Sequence, residues 1–195
     1  MFSNLKKFSQ QPICFIDFET TGIDIFNDEP IQIGAILVDN NGIKRCEFSS
    51  LIRLENNVID LSAKEVHGID YKLLTNSPSQ KEVTQDFFNK IGHDFIFGAW
   101  NIGFDVPFFK KMCLNTGMNS EYNKINYRHI DVQSISKLAV TLGLIHPDIK
   151  SLTDCATYFN IKRSNYHNAL EDASLCFNVY KNLLNAFELH KDKEL

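Results

Sequence analysis

No apolar run in this 195-residue chain approaches the roughly 18 residues of a membrane-spanning helix, so no such helix is expected. The opening residues, Met1 to Phe8, lack the apolar stretch of a secretory signal, and export is not expected either. The chain has no C-x-x-C pair: its five cysteines, Cys14, Cys46, Cys113, Cys155 and Cys176, are odd in number and widely spaced. That pattern argues against a disulfide framework or a zinc site and for reduced thiols, mostly in the core, of a cytoplasmic protein. Arginine is scarce, 4 against 16 lysines, a usage that suggests an A·T-rich genome and carries no mechanism. There is little excess charge: the net value is −4, and with 44% hydrophobic residues the chain is too apolar to be disordered. No repeat, low-complexity stretch or Pro/Gly/Ser linker divides it, which predicts one domain with its core over about residues 12–189 and short flexible termini. The final Asp192-Lys193-Glu194-Leu195 reads as a solvated end.

What is present is a regular alternation of apolar segments and turn signals. Ile13 to Phe18, Ile31 to Val38 and Lys44 to Leu54 read as strands, the last two joined by Asp39-Asn40-Asn41-Gly42, a hairpin signal because Asn and Gly tolerate positive φ. Ser62 to Glu65 reads as a capping box opening a short helix that Gly68 stops, and Gln80 to Ile91 has helical spacing closed by Gly92. Phe95 to Trp100 suits a buried strand, and Pro107 the first turn of a helix running to about Asn115. A fifth strand is expected over Ile125 to Ile130, then helices over Val132 to Leu142, from Ser151, and over Ala169 to about Leu189. Three antiparallel strands followed by alternating strands and helices predict an α/β protein, a mixed sheet with helices on its faces.

The chemistry-bearing residues gather where strands end. Asp17 and Glu19, at i and i+2, project to one face while Phe18 points into the core. Two like charges so placed repel unless a cation lies between them, and hard oxygen donors suit Mg²⁺ or Mn²⁺. Asn101 to Asp105 sits just after the fourth strand, where Asp105 is either a helix N-cap or a group facing the same site. His167 and Asp172 are five apart, about 140° around a helix, so they face one point only if His167 belongs to the preceding loop. Glu171 reads as a solvated helix position.

Asp17-Phe18-Glu19-Thr20-Thr21-Gly22, Asn101-x-x-Phe104-Asp105 and His167-x-Ala169-x-x-x-Asp172, in that order, resemble the three motifs of the DEDDh (DnaQ-like) 3′–5′ exonucleases, the family of the epsilon proofreading subunit of bacterial DNA polymerase III. Ile31-Gln32-Ile33-Gly34, Val66-His67-Gly68-Ile69 and Ile130-Asp131 add to the likeness, which runs from about Ile13 to Tyr180. It implies a ribonuclease H-like fold with a five-stranded sheet of order 3-2-1-4-5 and two divalent ions, Mg²⁺ or Mn²⁺. Asp17 would bridge the ions, Glu19 and Asp172 would share the one holding the attacking water, Asp105 would bind the other, and His167 would be the general base.

The implied reaction is stepwise hydrolysis from a 3′ end with release of nucleoside 5′-monophosphates. By the same resemblance Thr20, Thr21, His67, Ile69 and Asn101 border the terminal nucleotide, while Phe104 and Tyr166 could stack on bases or pack in the core. Lys162 and Arg163 are candidates for backbone phosphates, as are Lys110 and Lys111, against the plain reading of a solvated face. Trp100 departs from the family, many members carrying histidine there, which bears on the substrate lining and leaves the carboxylates untouched. The first reading is a DnaQ-type exonuclease on single-stranded or frayed DNA, which the Thr20-Thr21-Gly22 turn favours over oligoribonuclease; an exoribonuclease of the ribonuclease T type, using the same five residues, is the alternative, and a non-catalytic scaffold needs none of them. With no Q-x-x-L-x-[LF] clamp-binding sequence and an end soon after the last helix, a stand-alone or recruited nuclease is expected rather than a tethered proofreader; association with a DNA polymerase or another replication or repair protein is left open.

Overall fold

The computed structural model describes residues 8–55, 68–162 and 168–191. β1 (Ile13–Thr20), β2 (Pro30–Val38) and β3 (Lys44–Leu51) form an antiparallel meander, and β4 (Ile96–Ala99) and β5 (His129–Asp131) extend it in parallel on the far side of β1, giving the order β3-β2-β1-β4-β5. The β2–β3 turn forms because Gly42 adopts φ 78 and Asp39 receives the amides of Asn41 and Ile43, as an Asn/Gly turn requires. Between and after the strands run α1 (Tyr71–Thr75), α2 (Gln80–Ile91), α3 (Ile102–Asn115), α4 (Asn119–Tyr122), α5 (Val132–Thr141), α6 (Leu152–Tyr158) and α7 (Ala169–Lys191). Capping boxes open two of them: Ser79 with Glu82 starts α2, and Ser151 with Asp154 starts α6.

Alternation along β1 sorts its side chains between two cores. Cys14, Ile16 and Phe18 join Val83, Phe87, Phe109 and Met112 beneath α2 and α3, a cluster dense in rings, with Phe87 and Phe109 centroids 4.6 Å apart. Ile13 and Phe15 face the other way, onto Val132, Cys155, Val179, Tyr180 and Leu183 of α5, α6 and α7. Asp17 and Glu19 continue this second stripe, so they emerge on the α7 side at the end of the strand. Cys14, Cys113, Cys155 and Cys176 are buried, Cys46 is half-buried, and all five are free thiols. Among the described residues no helix is long and apolar enough to cross a membrane.

Three sequence expectations shift. Pro107 lies inside α3 rather than in its first turn, because Asp131 receives the amides of Asn101 and Ile102 and Asn101 takes a left-handed φ of 67, turning the chain into helix earlier. The third strand ends at Leu51, not Leu54, since Arg53 donates instead to the carbonyl of Pro78 and leaves the ladder. The fifth is shorter than expected and starts at His129: Ile125 is buried at the end of a turn following α4, a helix too short to signal itself in the sequence. The expected helix at Ser62 to Gly68 falls on residues outside those described, apart from Gly68, whose φ is 66.

Candidate active site

The register of β1 against β2 lays out the floor of the site. Asp17 lies opposite Gly34 and Glu19 opposite Gln32, and directly opposed residues share a face. A Cβ added to Gly34 would stand 2.1 Å from the carbonyl carbon of Ala169 and the amide nitrogen of Leu170, so the backbone of α7 rests directly on β2 there. Gln32 completes the seat: its Oε1 accepts the Ala169 N–H at 3.1 Å, satisfying one of the amides a helix start leaves without an internal partner. With α7 seated, Asp172 arrives over the end of β1. One carboxylate oxygen from each of Asp17, Glu19 and Asp172 lies within 4.8 Å of the others. The donor set is all hard oxygen, with no thiol or imidazole in the trio, which fits a divalent cation of the Mg²⁺ or Mn²⁺ kind.

Asp105 comes from the first turn of α3, on the other side of β1. It is not the N-cap, a place held by Asn101; it is buried, and its Oδ1 accepts the amide of Phe18 at 3.1 Å, beyond Phe15, where β1 ends its pairing with β4. Burial pushes its carboxyl well above the usual range, the Phe18 amide and its own amide pull it back, and the nearby charge of Glu19 pushes it up again. The same field is felt by Cys176: burial first, then the negative charges of Asp17, Asp105, Asp131 and Asp172, raise its thiol well above its ordinary value. Carboxylates held this close repel one another, a cost that a bound cation would relieve.

The turn after β1 is tied by side-chain hydrogen bonds. Thr21 is fully buried, donating from its hydroxyl to Asp28 at 2.9 Å and accepting the amide of Glu29 at 3.0 Å, while Thr20 donates to the carbonyl of Gly22 at 2.6 Å. Lys111 of α3 ties the loop down through the carbonyls of Phe26 and Asp28, at 3.1 and 2.8 Å. Phe26 itself is 86% exposed, beside an apolar groove of about 400 Å³ lined by Ile25, Val106, Pro107, Lys110 and Leu114.

The structure therefore brings Asp17, Glu19 and Asp172 together and holds Asp105 nearby at the end of β1. Asn101 is exposed at the head of α3, Phe104 is half-buried against Phe108 with ring centroids 5.0 Å apart, Ile69 packs on the small cluster of Ile31 and Leu74, and Lys162 is exposed. His67, Arg163, Tyr166 and His167 lie outside the described residues. Sequence reading gave no structural role to Gln32, Gly34 or Asp131; the signal for the first two was the amide and the small residue directly across from two acids, legible only once the register is known.

Residues 14–180 match the family RNase_T, described as exonuclease. The chain belongs to this DnaQ-like exonuclease family. Relatives of this exonuclease-family chain include the epsilon subunit of DNA polymerase III from Buchnera aphidicola subsp. Schizaphis graminum (strain Sg), 30% identical over 182 residues, 87% of this chain and 73% of that one. Another is the 3′–5′ exonuclease DinG of Staphylococcus aureus (strain USA300), 34% identical over 161 residues, 82% of this chain but 16% of DinG. Among solved structures, E. coli exonuclease I in complex with a dT13 oligonucleotide matches with a TM-score of 0.79 at 15% identity, over 94% of this chain and 43% of that one. Cell-death related nuclease 4 matches at 0.68 and 16%, over 90% and 64%. These likenesses establish the ribonuclease H-like fold, and the chain spans less than half of exonuclease I and less than a fifth of DinG.

Proposed function

We propose that this exonuclease-family chain is a single-domain, two-metal 3′–5′ exonuclease that removes nucleoside 5′-monophosphates from single-stranded or frayed DNA. The observation that carries the reading is the carboxylate trio, with oxygens of Asp17, Glu19 and Asp172 within 4.8 Å at the end of a strand that Asp105 also grips. In this reading Asp17, Glu19 and Asp172 hold one ion, Asp17 and Asp105 the other. Bound there, a pair of Mg²⁺ or Mn²⁺ ions supplies a hydroxide at neutral pH and neutralises charge on phosphorus and on the departing 3′-oxygen. The chain's own part is to hold four carboxylates close together, at a cost in repulsion that cations would relieve. His167, outside the described residues, takes the proton of the attacking water as general base.

Substrate approach follows from charge. With a net charge of −4 and four carboxylates at the site, the metal-free protein repels a polyanion, and metal loading reverses that locally. The exposed Phe26 and the apolar groove beside it give unpaired bases a surface to lie on, and Lys110 and Lys162 are exposed cations for the backbone. DNA is preferred in this reading because the Buchnera relative is a DNA polymerase III subunit. The test follows 5′-labelled DNA and RNA strands of equal sequence with Mn²⁺, with Mg²⁺ and with chelator, beside Asp17→Ala. A metal-dependent ladder from the 3′ end, faster on DNA and lost in the variant, supports the proposal. Faster cutting of RNA moves the chain to the exoribonucleases, and intact strands with oligonucleotide still retained make it a scaffold.

A further inference from the structure

Among the polar groups on the floor of the site, Gln32 has a place that the carboxylate chemistry does not explain. It is nearly buried on β2, in register with Glu19, and thus on the same face as the acids. Its Oε1 accepts the Ala169 N–H at 3.1 Å, at the first residue of α7. Two residues along β2, Gly34 lets the backbone of Ala169 and Leu170 come so close that any Cβ would clash at 2.1 Å. Asp172 lies within the same turn, its amide donating to the carbonyl of Asn168 at 2.9 Å, so its position follows from where Ala169 is held.

The choice of an amide also has a reason. An acceptor is needed at a helix start, and a carboxylate would serve it well, but here it would add a further negative charge directly across from Glu19. Glutamine supplies the acceptor without the charge.

We infer that Gln32 is a positioning residue for the carboxylate trio: by holding the Ala169 amide it sets Asp172 against Asp17 and Glu19. The inference rests on the reading of that trio as a divalent-cation site. Gln32→Leu keeps the bulk and removes the acceptor, and Gln32→Glu keeps the acceptor. Mn²⁺ binding is measured by titration calorimetry on metal-free protein, and amide hydrogen exchange over residues 168–172 is measured in chelator. Removing groups that orient metal ligands typically weakens metal binding about 10- to 100-fold, and Gln32→Leu is expected in that range, with faster exchange at Ala169. Its half-saturating Mn²⁺ concentration for cleavage rises more than its rate at saturating Mn²⁺ falls. Gln32→Glu retains slow exchange at Ala169 and binds Mn²⁺ at least as tightly as the wild type. Ser79→Ala, which uncaps α2 on the opposite face of the sheet, lowers stability and leaves Mn²⁺ affinity unchanged, whereas a merely structural Gln32 would behave as Ser79 does. Wild-type Mn²⁺ affinity in Gln32→Leu, with unchanged exchange at Ala169, overturns the inference while the metal site stands. Failure of the wild-type protein itself to bind Mn²⁺ overturns the reading beneath it.

Discussion

At Gly34 the site depends on a side chain that is missing, and at Asp17 on one that repels its neighbours. Any larger residue at Gly34 must push α7 off β2, since the obstructing atoms are backbone of Ala169 and Leu170 at 2.1 to 2.3 Å. Gly34→Ala is expected to lower stability by about 1–3 kcal/mol, the usual range for overpacking, and to abolish metal binding because Asp172 moves with the helix. Urea unfolding and Mn²⁺ titration of the same sample check both halves. Asp17→Asn has the opposite sign on stability. Relieving repulsion within a trio 4.8 Å across should raise the metal-free melting temperature by about 2–4 °C for each kcal/mol recovered, while cleavage is lost. A variant that is both inactive and less stable in chelator would contradict this account of the acids. The D-x-E pair, its direction and the core placement of Phe18 were legible from alternation alone. The Gln32 and Gly34 seats were not, because cross-strand neighbours depend on a register that no local pattern fixes.

α3 and α7 each begin at the sheet with an amide taken by a side chain from a strand or its end, Asp131 for α3 and Gln32 for α7. Asp131→Ala leaves the amides of Asn101 and Ile102 without that acceptor, and a loss of about 1 kcal/mol is expected, with faster hydrogen exchange at the start of α3. The α2 cap carries its own pH dependence. The hydroxyl of Ser79, then its amide, hold the Glu82 carboxylate below its usual range. A depressed carboxyl contributes stability above its unfolded value of about 4.3 and loses it as pH falls through the folded value. The destabilisation of Ser79→Ala should therefore be full at pH 7 and shrink in acid, which thermal melts across that interval will report. Elements with long apolar runs or caps, such as α2, α6 and the meander, were legible in outline. The start of α3 was not, because Pro107 is a strong local signal for a helix beginning and the tertiary contact from Asp131 outweighs it.

For the molecule as a whole, a ribonuclease H-like sheet in the order β3-β2-β1-β4-β5 converges two helix starts on the end of its central strand. Composition and periodicity reached the fold class, because three antiparallel strands followed by alternating strands and helices are local signals, while the strand order itself came from the family resemblance. Because the carboxylate trio is brought together only in the folded chain, the proposed ion binding predicts that Mn²⁺ raises the melting temperature of the wild-type protein and leaves that of Asp17→Asn unmoved. The most direct measurement is anomalous scattering from crystals grown with Mn²⁺ and a non-hydrolysable 3′-terminal dinucleotide. Two manganese peaks roughly 3.5–4 Å apart, both against Asp17, one touching Glu19 and Asp172 and the other Asp105, are the predicted result. Manganese elsewhere on the surface, or none between Asp17 and Asp172, would contradict the account.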